Sequence, residues 1–175
     1  PLAHILTVTT APENRVRLNG LFIGKSRKTF EDAVALSQEK NIFRLDKPVR
    51  KMVVALDEKE FKSTWLGNKA VYRTRMAIAD GGELIVLAPG VSRFGEDMEV
   101  DRLIRKYGYC GRETVLRYVR ENQDLRANLS AAAHLIHGSS EGRFTITYCV
   151  RHLSREEVEK AGYCYLPYDE SVREY

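Results

Sequence analysis

Two short runs of uninterrupted apolar residues constrain the fold of this chain more than any other feature of its sequence. They are Met52-Val-Val-Ala-Leu56 and Leu84-Ile-Val-Leu-Ala88, and a segment of helical character, Asn68 to Ala79, lies between them, closed by Asp80-Gly81-Gly82. Such runs are typical of strands buried on both faces of a parallel sheet, and parallel strands need a crossover connection. The sequence therefore predicts the α/β class: a mainly parallel sheet flanked by helices on both faces, in three layers, with a helix-rich C-terminal part.

The segments before the first apolar run also predict strands and one helix. His4 to Thr9 alternates between apolar and polar residues, and Arg15 to Ile23 is a second β-like run interrupted by a hairpin-type turn signal, Asn19-Gly20. Ser26 can cap a helix that runs to about residue 39. Ile42 to Leu45 predicts a short strand.

The second half of the chain is predicted to be richer in helices. The expected elements are helices over Asp97–Tyr107, over Arg112–Glu121 and from Asp124 to about His137, a strand over Phe144–Val150, a short helix opened by the capping box Ser154-Arg-Glu-Glu157, a strand near residues 163–165 and a short C-terminal helix. Because no repeat and no linker rich in Pro, Gly or Ser divides the chain, we expect one α/β domain over residues 1–175.

Charge and composition favour a small anionic ligand over a nucleic acid. The 175 residues carry a net charge of +4, and basic residues are interleaved with acidic ones along the chain. Nucleic-acid-binding domains usually concentrate Lys and Arg on one face, so a nucleic-acid partner is not expected. A mildly basic cleft for a small anion fits the charge pattern.

The sequence predicts a cytoplasmic protein with no membrane association. No apolar run approaches the length that crosses a bilayer, and the first residues lack the layout of a signal peptide. Cys110, Cys149 and Cys164 form no C-x-x-C pair, which indicates free thiols in a reducing compartment. The chain begins without Met, which is consistent with a processed chain or with a piece of a longer one.

The segment after the first apolar strand is the first candidate site, because ligands of open α/β sheets bind beyond the carboxyl ends of the strands. It contains Trp65, Lys69, Arg73 and Arg75, and Lys69 and Arg73 share a helical face near the expected start of the helix. An anion such as a carboxylate would relieve their mutual repulsion and their conflict with the helix dipole. Alternatively, the arginines pair with Glu58 or Glu60, and Trp65 belongs to the core.

The segment after the second apolar strand contributes Glu96 and Asp97. Both are candidate bases, and Glu96 could also line a cleft. Both could instead be acidic residues at the start of a helix, where the dipole favours them. The helix-start interpretation is the stronger one for this spacing.

His134 and His137 end an apolar run and precede a Gly/Ser turn, Gly138 to Gly142. Helical spacing places both imidazoles on one face. A metal site is not expected, because no Cys or acidic residue lies at a sequence spacing that would supply the third and fourth ligands. The alternatives are hydrogen-bonded core histidines or residues that line the cleft. Walker A, GxGxxG, G-x-S-x-G and H-E-x-x-H motifs are absent.

Three segments resemble the C-terminal half of the nickel-pincer lactate racemase family, and more narrowly its branch of mannonate or sugar-acid epimerases. They are Thr64-Trp-Leu-Gly-Asn-Lys-Ala-Val-Tyr-Arg-Thr-Arg75, the run Gly82 to Gly90 with Phe94-Gly-Glu-Asp97, and residues 131–148. Together with Gly24 and the helix that follows it, the resemblance covers nearly the whole chain.

The resemblance implies one part of a two-domain isomerase. Members of that family invert the carbon that bears the hydroxyl of a 2-hydroxy acid, using a nickel-pincer nucleotide held by the N-terminal domain, which also supplies the acid/base histidines. No cofactor is therefore expected in this chain, His134 and His137 are not equated with the family's catalytic histidines, and the implied partner is the missing N-terminal domain, fused or separate.

The resemblance also suggests which residues contact the substrate. The family's C-terminal domain uses a Tyr-Gln-x-x-Lys pattern, and the run matched to it here is Tyr72-Arg-Thr-Arg-Met76, in which the Gln and Lys positions hold Arg73 and Met76. This departure argues against lactate and for a sugar acid such as mannonate or gluconate. Trp65, Lys69, Tyr72, Arg73 and Arg75 are the predicted substrate contacts, and Lys69, Arg73 or Arg75 would bind the carboxylate.

Two further interpretations stay open at the level of the sequence. The chain could be a stand-alone module that binds a small carboxylic acid without catalysis. A domain separated from its partner would also leave an apolar face, so a homodimer is one expected assembly.

Overall fold

The computed structural model describes residues 2–175 and divides into two compact units, one that ends at Asp46 and one from Lys47 to Tyr175. The expectation of one domain over residues 1–175 remains a prediction.

The smaller unit is an antiparallel pair of strands, joined through a short 3-10 helix (Pro12–Asn14), with one α-helix. Strands β1 (His4–Thr10) and β2 (Arg17–Gly24) pair, and Ser26 caps helix α1 (Arg27–Asn41) by accepting from the backbone N–H of Thr29. The capped helix confirms the prediction. The predicted turn at Asn19-Gly20 is wrong, because the strands are joined by residues 11–16 instead.

The Asn-Gly pair has a different role in this unit. Val8 pairs with Gly20 and Thr9 pairs with Leu18, so Asn19 is the extra residue of a β-bulge. Its side-chain amide donates to the hydroxyl of Thr10 at 3.0 Å. The strand predicted at Ile42 to Leu45 is also wrong, because those residues form no regular structure.

The larger unit contains a four-stranded sheet that is parallel throughout its described residues. The order is β3-β4-β5-β6, formed by β3 (Val49–Ala55), β4 (Ile78–Leu87), β5 (Thr145–Val150) and β6 (Cys164–Pro167). The helices of this unit are α2 (Thr64–Gly67), α3 (Lys69–Thr74), α4 (Met98–Tyr107), α5 (Arg112–Glu121), α6 (Gln123–Ala127), α7 (Leu129–His137), α8 (Arg155–Lys160) and α9 (Tyr168–Ser171).

The side chains of β4 show why the sheet is the middle of three layers. Leu84 and Val86 belong to the large hydrophobic core on one face, whereas Ile85 and Leu87 belong to a smaller cluster on the other. Successive side chains of a strand point to opposite faces, so both faces are covered. This confirms the predicted α/β fold class with helices on both faces of a parallel sheet.

The two apolar runs differ in burial because their strands occupy different places in the sheet. In β4, residues Leu84 to Ala88 are all buried, as predicted. Strand β3 lies at the edge of the sheet, its residues alternate in burial, and Val53 is 40% exposed. Burial on both faces was therefore a wrong prediction for β3.

Two predicted helices are shorter than their sequence patterns indicated. The helix expected over residues 68–79 ends at Thr74, and residues 80–82 lie inside β4 because Ile78 already pairs with Val49. The helix expected from Asp124 to His137 is two helices, α6 and α7. Asn128, not Asp124, caps α7 by accepting from the backbone N–H of Ala131 at 3.0 Å.

The other predicted elements of the larger unit are confirmed, including α4, α5, the capping box at Ser154 and the short C-terminal helix. All three cysteines are free thiols. No helix of residues 2–175 combines the length and the apolar character needed to cross a bilayer.

Candidate functional site

The loops that follow β3 and β4 are joined at the carboxyl edge of the sheet. Backbone hydrogen bonds run from Ser92 N to Lys62 O (3.0 Å), from Thr64 N to Arg93 O (3.1 Å) and from Trp65 N to Phe94 O (2.8 Å). A side chain at Gly90 would collide with the carbonyl oxygen of Glu58, so only glycine permits this approach. The junction fixes where the chain enters α2.

Glu96 lies at this junction and is already engaged. Its carboxylate accepts a short hydrogen bond from the hydroxyl of Ser63, which is buried and caps α2, and it forms an ion pair with Arg93 at 3.4 Å. Asp97 caps α4 by accepting from the backbone N–H of Val100 at 2.8 Å. The helix-start interpretation of Asp97 is confirmed, and Glu96 ties the two loops together.

Helices α2 and α3 form one nearly continuous helical segment, since Asn68 between them has helical φ and ψ. Trp65 and Lys69 therefore lie one turn apart on one side. The indole of Trp65 stacks on the imidazole of His134, with 4.3 Å between ring centroids, and the ammonium of Lys69 lies 5.9 Å from the ring centroid of Phe61. We call Phe61, Trp65, Lys69 and His134 the carboxyl-edge cluster.

The remaining predicted contacts lie farther along the crossover, towards the amino ends of β4 and β5. Tyr72 meets His137 edge-on with 6.2 Å between ring centroids, and the guanidinium of Arg75 donates to the carbonyl of Ser139 at 3.3 Å. The predicted site residues thus fall into two groups on one side of the sheet, and only Trp65, Lys69 and His134 belong to the carboxyl-edge cluster.

The cations of α3 have no carboxylate partners among the described residues. Lys69, Arg73 and Arg75 form no ion pair there, and Glu58, one of the expected partners, pairs with Arg151 at 3.4 Å. Arg73 is exposed and lies in the last turn of α3, where the helix dipole favours a cation. The expected conflict between Arg73 and the dipole is therefore wrong, and only Lys69 of these cations lies in the first turn of α3.

A stack of three buried tyrosines packs against the carboxyl-edge cluster through the contact of Tyr109 with His134. Tyr148 stacks on Tyr163 (4.9 Å between centroids), and Tyr163 stacks on Tyr109 (4.6 Å). The hydroxyl of Tyr148 donates to Oδ1 of Asn68 at 2.6 Å, and that of Tyr163 contacts the carbonyl of Gly138 at 2.8 Å. Burial raises the pKa of all three phenols, so they stay protonated.

Gly138 is required by packing. A side chain there would collide with Asn68 and with the ring of Tyr109, although its φ of −79° suits any residue. Gly138 ends α7, as predicted, and its bare Cα lets the tyrosine stack approach the helix.

The tyrosine stack reaches His134 through hydrogen bonds. The hydroxyl of Tyr109 lies 2.7 Å from Oγ1 of Thr64 and 3.1 Å from Nε2 of His134. Burial, with the charge of His137, lowers the pKa of His134 to about 4. Sequence patterns did not single out Thr64 or Tyr109, because an isolated hydroxyl residue carries no motif.

The described residues do not form a metal site. No group of three or more His, Cys, Asp or Glu side chains in residues 2–175 converges on one point. His134 uses Nε2 to bond Tyr109, and His137 lies exposed against Tyr72. These residues do not fit the nickel group that the sequence resemblance implies for a complete enzyme, and no chemical step is assigned to a metal on this chain.

Two of the solved structures that share the fold match nearly the whole of this chain, whereas no family model and no curated protein matches the sequence. One is the crystal structure of a protein from Thermotoga maritima: the identity is 22%, the TM-score is 0.74, and the match covers 96% of this chain and 43% of that one. The other is the lactate racemase apoprotein from Thermoanaerobacterium thermosaccharolyticum: the identity is 12%, the TM-score is 0.66, and the match covers 98% of this chain and 40% of that one.

This chain therefore spans about two fifths of the length of either structure. At these identities the likeness concerns the path of the backbone and not the site residues. The chain has a lactate-racemase-like α/β fold.

Proposed function

We propose that this chain is the substrate-contacting domain of an enzyme that racemises or epimerises a 2-hydroxy acid, and that the acid is a sugar acid such as mannonate or gluconate. The shared fold with a lactate racemase supports the reaction class. The cations of α3, which have no carboxylate partner among the described residues, support an anionic substrate.

The observation that carries the proposal is the position of Lys69. Its ammonium lies at the carboxyl edge of the parallel sheet, beside Phe61 and one turn from the stacked pair Trp65 and His134. Carboxyl edges are where α/β sheets bind ligands. A substrate carboxylate on Lys69 would place the carbon chain of the acid along the indole, which offers an apolar face and a polar edge.

Arg73 is the second cation that this geometry offers. It follows Lys69 by one helical turn and is exposed, so its guanidinium can reach an oxygen of a longer acid. Arg75 is less suited, because it is bound to the carbonyl of Ser139. In this proposal Lys69 binds the carboxylate and Arg73 contacts the distal part of the molecule.

The chemistry itself is assigned to a second domain. The match covers about two fifths of the lactate racemase chain, and the described residues of this chain form no group of side chains that could bind a metal. We assign the nickel-pincer nucleotide and the acid/base residues to a separate N-terminal domain. This chain binds and orients the acid, so by itself it should bind the substrate without turning it over.

Titration of the chain with D-gluconate and D-mannonate tests the proposal. Lys69→Ala should weaken binding by about tenfold or more, because a hydrogen bond to a charged group contributes about 1.5–3 kcal/mol. Arg73→Ala should have a smaller effect. Lys160→Ala is the matched control, since Lys160 is exposed and forms no ion pair with the described residues.

Two outcomes would contradict the proposal. One is the absence of binding to the unmodified chain, and the other is an equal loss in Lys69→Ala and Lys160→Ala. An epimerase assay of this chain together with the N-terminal domain then separates an isomerase from a stand-alone binding module. Binding without turnover in that mixture would favour the module.

A further inference from the structure

We infer that His134 recognises a hydroxyl group of the bound acid, because the buried hydroxyls beneath it fix its Nδ1 atom as a bare hydrogen-bond acceptor at the surface of the carboxyl-edge cluster. The choice of ligand rests on the proposed function. The position of the proton on the imidazole does not rest on that proposal, because it follows from three hydrogen bonds inside the protein.

The donors in the first two hydrogen bonds follow from the number of protons available. Oγ1 of Thr64 lies 3.0 Å from the carbonyl oxygen of Phe94, and because a carbonyl cannot donate, the single hydroxyl proton of Thr64 occupies this bond. Oγ1 of Thr64 also lies 2.7 Å from the hydroxyl of Tyr109. That contact needs a proton as well, and only Tyr109 can supply it.

The third bond then fixes the imidazole. Because the hydroxyl proton of Tyr109 is donated to the hydrogen bond with Thr64, Nε2 of His134, at 3.1 Å, must donate to the phenol oxygen. A neutral imidazole has one N–H, and Nδ1 is left with a lone pair. Burial keeps the ring neutral at pH 7, because it lowers the pKa of His134 to about 4.

The position of Nδ1 is also fixed, and the atom is not fully buried. The ring stacks on Trp65 at 4.3 Å, and Tyr109 is held between Tyr163 and the ring edge of His134. Nδ1 forms no hydrogen bond within residues 2–175, and it is not among their fully buried unpartnered atoms. Nδ1 is therefore a partly accessible acceptor, and a ligand that contacts the half-buried ring of His134 can donate to it.

This acceptor favours acids that carry more than one hydroxyl. Lactate has a single hydroxyl, which is the group at the reacting carbon. A sugar acid has further hydroxyls along its chain, and a neutral imidazole nitrogen suits one of these as a donor. His134 would thus select for a polyhydroxy acid, while Lys69 binds the carboxylate that both kinds of acid share.

Nitrogen-15 NMR of the histidine side chains tests the state of the ring without any ligand. At pH 7 we expect His134 to carry its proton on Nε2. Tyr109→Phe removes the acceptor of that proton and should shift the ring towards a mixture of tautomers. A proton on Nδ1 in the unmodified chain, or no change in Tyr109→Phe, would overturn the inference.

Binding measurements test the selection. His134→Phe keeps an aromatic ring against Trp65 and removes the acceptor, so affinity for D-gluconate should fall about two- to tenfold, the value of one ordinary hydrogen bond. Affinity for D-lactate should not change. The matched control is His152→Phe, because His152 is exposed and lies outside the cluster.

The outcomes separate the two proposals. If the unmodified chain binds neither acid, the proposed function fails and the role of His134 fails with it. If D-gluconate binds and depends on Lys69 but His134→Phe has no effect, or affects both acids equally, the role of His134 alone is wrong.

Discussion

At the scale of single residues, the neutral imidazole of His134 should make the stability of this chain depend on pH. Its pKa is about 4 in the folded chain, against an ordinary value of 6.5, and Tyr109, Trp65 and His137 surround it. The unfolded chain takes up the proton as pH falls through 6.5, whereas the folded chain resists until about 4. The free energy of unfolding should therefore fall across this interval and reach its floor below it.

Urea denaturation at intervals between pH 7 and pH 4 measures this slope. His134→Phe should flatten it, and His152→Phe should leave it in place. The contribution of Asp124 is separable from this slope, because Lys106 and Tyr107 lower the pKa of its carboxylate and its stabilisation is lost only at lower pH. A flat free energy of unfolding in the unmodified chain between pH 6.5 and pH 4 would show that His134 is not held neutral.

At the scale of elements, the capping box of α8 links helix formation to tertiary packing. Ser154 accepts from the backbone N–H of Glu157 at 3.2 Å, and Glu157 accepts from the backbone N–H of Ser154 at 2.7 Å and pairs with Arg105 of α4. Ser154→Ala should cost about 1 kcal/mol of stability, because it removes the N-terminal cap. Ser92→Ala, an exposed change with no side-chain hydrogen bond among the described residues, should stay within about 0.5 kcal/mol.

Denaturant titration of the two serine variants decides this prediction. An equal loss in both would mean that the cap contributes nothing. Glu157→Gln separates the two roles of the glutamate, since glutamine can still accept from Ser154 but gives up the charge that pairs with Arg105. Its loss of stability should respond to salt, whereas that of Ser154→Ala should not.

The elements that could be predicted from the sequence are those whose signal is local. The capping box and strand β4 carry such signals, and both are confirmed. The helix expected over residues 68–79 failed because Ile78 is buried and paired with Val49, a partner that local periodicity cannot reveal. Burial of β3 failed for a similar reason, since its place at the edge depends on the order of the whole sheet.

At the scale of the whole molecule, the same limit applies to the site. Trp65, Lys69 and His134 could be singled out because their residue types and spacing are unusual. The hydroxyl of Tyr109 could not, because its role depends on Thr64, 45 positions away, and on His134. Sequence spacing also placed Arg73 at a helix start, and only the observed end of α3 at Thr74 moves the preferred cation to Lys69.

The distribution of the core predicts that residues 47–175 fold without the residues before them. The large hydrophobic core and the smaller cluster on the other face consist only of residues from this unit. Within the described part of the smaller unit, the buried apolar side chains are those of Val8 and Ala33, while large ones such as Ile23 stay exposed. A two-stranded pair with one helix and so little buried area should not be stable alone.

Two fragments cut after Asp46 test this prediction. The fragment 47–175 should unfold in one cooperative transition and give a dispersed amide spectrum, and the preceding segment should give the spectrum of an unfolded peptide. Because the carboxyl-edge cluster lies wholly in the larger unit, that fragment should also keep the Nε2-protonated state of His134. If the fragment 47–175 unfolds without cooperativity, the core of the larger unit needs the smaller unit, although no residue of the smaller unit belongs to that core.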